Sequence, residues 1–133
     1  MKSVQASLTR AIPFGARVEV CDNSGAKTIR IFSVYKHKTV KGRLQAASVA
    51  DLVNASILKG KPGLKKQVVQ AVIVRQRKEF RRLTGERIKF EDNAAVILKD
   101  DKGNPKGTII KGPIAKEVAV RWPAIAKIAS AIL

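Results

Sequence analysis

Apolar and polar positions alternate in short bursts along most of the chain, the period of a half-buried β-strand. Arg17 to Cys21 and Lys27 to Val34 are such bursts, rich in β-branched residues, and Asp22-Asn23-Ser24-Gly25 between them has the side chains of a turn. This predicts a strand, turn, strand unit. Val49 to Leu58 and Val68 to Gln76 follow, joined by Lys59-Gly60-Lys61-Pro62-Gly63-Leu64-Lys65-Lys66, where proline and glycines interrupt regular structure. Arg87 to Phe90 and Ala94 to Lys99 are a fifth and a sixth candidate, and Thr108 to Ile110 is placed to pair back across the turn Asp100 to Gly107. Five or six short strands with frequent turn signals predict a mainly β fold, a small closed or nearly closed barrel.

After Trp122-Pro123 the period changes. Ile125, Ile128, Ala129 and Ile132 recur at helical spacing, Lys127 and Ser130 lie opposite, and proline suits the first helical position. A short C-terminal helix with a wide apolar face is expected. That face, and Trp122 with it, suits either burial on the barrel or a protein-docking surface.

A chain of 133 residues makes one domain and buries about two thirds of its unfolded surface, for which 45% hydrophobic residues suffice. The longest apolar run, Ala94 to Leu98, is far short of the roughly 20 residues of a membrane helix, and Met1 to Arg10 lacks a signal-peptide apolar region. No membrane association and a cytoplasmic location are expected. The single cysteine, Cys21, sits in an apolar alternation and reads as a small packed side chain.

Charge changes the picture. Of the net +17, the stretch Lys27 to Lys89 carries +14, with seventeen Lys and Arg against Asp51, Glu79 and Glu86. Its densest part, Arg75-Gln76-Arg77-Lys78-Glu79-Phe80-Arg81-Arg82, runs straight out of the apolar segment Val68 to Val74. Self-repulsion at this density is best relieved by a phosphate polyanion, so the chain reads as a nucleic-acid binder. If the strand continues through Arg77, Arg75 and Arg77 share a face about 7 Å apart, a spacing at which two guanidiniums reach neighbouring phosphates. Arg81 and Arg82 flank a turn through Leu83-Thr84-Gly85-Glu86, beyond which Arg87 and Lys89 alternate with Ile88 and Phe90 as the tip of a charged hairpin. Phe80 suits either the edge of the core or base stacking, and the scarcity of aromatics favours the core. Lys36-His37-Lys38-Thr39-Val40-Lys41-Gly42-Arg43 is a second basic segment with no acid. With few aromatics, backbone and shape recognition of folded RNA is favoured over stacking on a flat platform.

Catalytic material is sparse. One Cys and one His cannot supply a Cys/His zinc set, His37 sits among lysines as a solvated loop residue, and the acid pairs Glu91-Asp92 and Asp100-Asp101 lie beside turn residues. No phosphate-cradling loop with the Lys-Ser or Lys-Thr ending occurs, and no nucleophile, base and orienter stand together. Neither a metal nor a cofactor is expected.

Cys21-Asp22-Asn23-Ser24-Gly25-Ala26-Lys27, Lys59-Gly60-Lys61-Pro62, Val74-Arg75-Gln76-Arg77-Lys78, Arg81-Arg82, Phe90-Glu91-Asp92-Asn93-Ala94, Gly112-Pro113-Ile114-Ala115-Lys116-Glu117 and Trp122-Pro123 occur in this order. The series closely resembles the universal large-subunit ribosomal protein fourteen family in its archaeal and eukaryotic form, from about Arg17 to Ile132. The resemblance implies a five-stranded β-barrel over 17–111 with basic loops, a small helical C-terminal part over 112–133, and 1–16 as an N-terminal extension. It implies a structural component of the large ribosomal subunit without catalysis, bound to large-subunit rRNA and touching small-subunit rRNA in intersubunit bridges. Implied protein partners are large-subunit proteins three and twenty-four and the anti-association initiation factor six, which docks at the C-terminal region. Bacterial members tend to have Arg after the threonine of the Gly-Thr pair; here Ile109 follows Thr108, so a bacterial-style contact is not carried over.

The expected rRNA contacts are Arg75, Arg77, Lys78, Arg81 and Arg82, supported by Lys36, Lys38, Lys41, Arg43, Lys61, Lys65 and Lys66. Thr108, Trp122 and Lys127 are the expected protein or bridge contacts. A free-standing RNA chaperone would share the charge pattern, and an RNA-acting enzyme would need a catalytic group that the His and Cys counts argue against.

Overall fold

The computed structural model describes residues 3–100 and 102–133. Two short strands, β1 (Ala6–Ser7) and β2 (Ile12–Pro13), precede β3 (Arg17–Val20), β4 (Ala26–Val34), β5 (Ala46–Ala47), β6 (Leu52–Gly60) and β7 (Val68–Arg75). A hairpin of β8 (Phe80–Arg82) and β9 (Arg87–Ile88) leads to β10 (Ala94–Leu98), then β11 (Pro113–Ile114), helices α1 (Lys116–Arg121) and α2 (Pro123–Ile128), and β12 (Ala131–Ile132). Strands β10, β3, β4, β6 and β7, in that order around the wall, close a five-stranded barrel. Closure is made by the parallel pair Ala94↔Glu19 and Ala95↔Val20.

Strand alternation builds two cores. Val18, Ile29, Ile31, Val53, Ala55, Ile57, Ala71, Ile73, Ala95 and Ile97 fill the barrel interior. Their neighbours Val72, Val74, Ala94, Val96 and Leu98 face outward from β7 and β10, where Ile110, Ile114, Val118, Trp122 and Ile125 cover them. These two strands are therefore buried on both faces, which is why Ala94 to Leu98 is an unbroken apolar run. Phe80, 1% exposed, belongs to this outer core, as its reading as a core-edge residue expects.

Two expected elements differ. The helix stops at Ile128 because Ala129 turns extended (φ −73°, ψ 140°), and Ile132 lies in β12, parallel to β11, rather than on a continued helical face. Thr108 to Ile110 forms no strand; an isolated bridge joins Ile110 to Asp22. Helix α1, without a side-chain N-cap, is an additional element held by Val118 in the outer core. The N-terminal stretch is stitched to the body, with Ala6 opposite Arg82 and Ile12 opposite Ala47. Gln76 anchors it further: it is fully buried, its Oε1 accepts from the Val49 N–H, and its Nε2 donates to the carbonyls of Thr9 and Lys78.

Candidate nucleic-acid interface

Strand direction decides which basic segments can act together. Both β4 and β7 run antiparallel to β6, so the loop after β4 and the hairpin after β7 leave the same end of the barrel. Lys36, Lys38, Lys41 and Arg43 thus share an end with Arg77, Lys78 and Arg81, and all seven are exposed. The connection carrying Lys61, Lys65 and Lys66 joins β6 to β7 at the opposite end, beside the turn after β3, where Lys61 N–H donates to Gly25 O. These three exposed lysines form a separate patch.

The hairpin presents its cations by strand pairing. Arg81 lies directly opposite Arg87, both exposed, and among the described residues the Glu79 carboxylate pairs with Arg87 alone (3.2 Å). Its tip closes through Gly85, at φ +91°, whose N–H donates to Arg82 O. At the hairpin base the Arg77 N–H donates to Asn93 Oδ1, so the strand breaks before Arg77 and its side chain turns to solvent.

Arg75 and Arg82 correct the sequence reading, because their guanidiniums point into the protein. Arg75 is 8% exposed, and its Nε and Nη2 donate to the two Asp92 carboxylate oxygens at 2.9 and 3.2 Å. Its Nη1 donates to the carbonyls of Lys111 and Pro113, tying the barrel to the segment that enters the C-terminal part. Every arm of the fork is occupied, so the expected Arg75 and Arg77 pair on one face does not form. Arg82 makes a two-point bridge to the buried Glu117 of α1 (3.1 and 3.2 Å) and lies 5.8 Å from the Phe80 ring centroid. It fastens the hairpin to the helix.

His37, expected as a solvated loop residue, is half-buried, with Nδ1 within hydrogen-bonding distance of the Ala46 N–H and carbonyl. Asp92 is spent on Arg75, and Asp100 Oδ1 accepts from the Lys102 and Asn104 N–H groups of its own turn; Asp101 lies outside the described residues. No cluster of three His, Cys, Asp or Glu side chains suited to a metal occurs among the described residues. Among those residues no helix is long and apolar enough to cross a membrane.

Of the expected protein contacts, Trp122 is a correction. Its ring is 6% exposed within the outer core, and its indole N–H donates to Ala50 O at 2.9 Å, leaving no free face for a partner. Lys127 is exposed in the last turn of α2. Thr108 is exposed too, its N–H and hydroxyl both engaged with the Asn23 amide of the turn after β3.

The barrel, its basic hairpin and its C-terminal helices match a known family across most of the chain. Residues 11–133 fit the family Ribosomal protein L14p/L23e. The chain belongs to that family. Large ribosomal subunit protein uL14 of Nanoarchaeum equitans (strain Kin4-M) is 56% identical over 133 residues, covering 100% of both chains. The uL14 protein of Methanococcus vannielii is 45% identical over 132 residues, 99% of each chain. Membership in this L14p/L23e family supports a structural role in the large ribosomal subunit.

Proposed function

We propose that the chain is a non-catalytic component of the large ribosomal subunit that holds large-subunit rRNA by charge and shape. Arg77, Lys78 and Arg81, with Lys36, Lys38, Lys41 and Arg43 at the same barrel end, form the principal contact, and Lys61, Lys65 and Lys66 form a second one. The exposed hairpin cations carry this reading, because one carboxylate pairs with Arg87 and, among the described residues, Arg77, Lys78 and Arg81 have no side-chain ion pair. If about six phosphates are neutralised, affinity for large-subunit rRNA falls with a log–log salt slope of about −4 to −5. An affinity flat between low and moderate salt would overturn the mechanism.

The C-terminal part serves subunit contacts, with Thr108 and Lys127 as its polar contact residues. Family membership supports neighbours of the kind expected from the resemblance: large-subunit proteins three and twenty-four, small-subunit rRNA, and the anti-association initiation factor six. Changing Thr108 and Lys127 to Glu leaves incorporation into the large subunit intact and weakens subunit joining or factor docking through like-charge conflict at the partner surface. Sucrose-gradient profiles read both, and unaltered joining and docking would refute this assignment.

A further inference from the structure

The C-terminal helices pack against β7, β10 and the start of β6 at Leu52, whereas on the outer wall the outward side chains Arg17 and Glu19 of β3 and Lys27, Arg30 and Phe32 of β4 are exposed. On that wall Arg17 of β3 and Arg30 of β4 are directly opposite partners, and both are exposed. Residues so paired have Cβ atoms about 5 Å apart, and like charges there destabilise the sheet. Among the described residues neither guanidinium has an ion-pair or hydrogen-bond partner. Glu19, two residues beyond Arg17 on the same face, faces Thr28 and bridges neither arginine.

The surroundings narrow the ligand. On the far side of Arg30 lies Ser56 of β6, half-buried, which adds a hydroxyl to the row of two guanidiniums. Gly15 N–H donates to Ile31 O and Ile31 N–H to Ala16 O, so the segment carrying Phe14 runs alongside β4, which carries Phe32. Both residues are exposed over a little under half of their surface, at 45% and 40%, although the chain has only six aromatic residues. Two forked cations and a hydroxyl beside two open aromatic rings suit the phosphates and an unstacked base of an RNA strand. An acidic protein surface would satisfy the arginines but would not account for the rings.

We propose that this wall is an additional RNA site, in which Arg17 and Arg30 clamp backbone phosphate and Phe14 or Phe32 takes a base. It rests on the rRNA-binding reading and is separate from the hairpin, so the two are tested side by side. Binding of the full-length protein to a large-subunit rRNA transcript is titrated with salt for the wild type, R17Q/R30Q and R77Q/R81Q. The slope is expected to lose about 1.4 to 1.8 in R17Q/R30Q, two contacts at about 0.7 to 0.9 each. F32A is expected to lower affinity with the slope unchanged, the signature of a stacking contact. Thermal unfolding of R17Q/R30Q should show equal or higher stability, since a repulsive pair is removed, which separates lost binding from lost fold. A wild-type slope in R17Q/R30Q overturns the proposal, whatever protein contact that variant loses, and leaves the hairpin reading standing if R77Q/R81Q has a reduced slope. A flat wild-type titration would overturn both.

Discussion

Replacing Arg75 by Met separates folding from RNA binding at the densest point of the basic sequence. Methionine keeps much of the volume but removes four hydrogen bonds: two to Asp92 and one each to Lys111 O and Pro113 O. Breaking a fully buried ion pair costs about 3–5 kcal/mol, and hydrogen bonds to a charged group contribute about 1.5–3 kcal/mol each. The Asp92 side chain is 40% exposed and regains water, which places the net loss near the lower end, at about 3 kcal/mol. For a domain of this size that lowers Tm by about 10 °C. The salt slope of rRNA binding, measured well below the new Tm, should remain that of the wild type. Arg77→Gln is the mirror experiment: an unchanged Tm, and a slope smaller by about 0.7 to 0.9. If Arg75→Met left Tm untouched and reduced the slope as Arg77→Gln does, Arg75 would be a phosphate contact and the internal fork would be wrong.

Burial pushes the Cys21 thiol up from 9.0 to about 11, so the unfolded chain releases this proton first and the Cys21 contribution to stability is lost as pH rises through that window. Urea unfolding from pH 8 to 11 should show this fall in the wild type and lack that component in Cys21→Ala. Gly103 holds φ +94°, and a Cβ there would stand 2.5 Å from Trp122 Cε3, so Gly103→Ala should cost about 2–3 kcal/mol by strain and overpacking. Urea unfolding would read it, and an unchanged midpoint would mean that the turn over Trp122 yields freely.

The barrel was legible in the sequence because its signals are local: period-two alternation in β3, β4 and β6, and turn residues from Asp22 to Gly25 and around Pro62. The basic interface was legible only as a stretch of chain. Arg75, Arg77, Arg81 and Arg82 look equivalent in sequence, yet the acids that claim two of them lie 17 and 35 residues further on, at Asp92 and Glu117. In the sequence Asp92 stands beside the turn residue Asn93 with nothing to link it to Arg75, and nothing in the period of α1 marks Glu117 as buried. The placement of the lysine loop at the far end of the barrel likewise depends on pairing order, which composition does not carry. Arg17 and Arg30 carry no such signal in the sequence because they lie 13 residues apart in different strands; the β3–β4 register makes them a pair.

Barrel closure joins residues about 75 positions apart, Glu19 with Ala94 and Val20 with Ala95, and much of the cover over the outer face of β7 and β10 comes from residues from Ile110 onward. Synthesis from the N-terminus therefore delivers the basic hairpin before the wall behind it can be sealed. A nascent chain that has just emerged as far as Leu98 carries most of its positive charge and exposes Val72, Val74, Val96 and Leu98 together. For that interval the same molecule is sticky in two ways, to polyanions through its loops and to other apolar surfaces through its unfinished wall. Emergence of Trp122 and Ile125 ends the second hazard, and RNA binding would end the first.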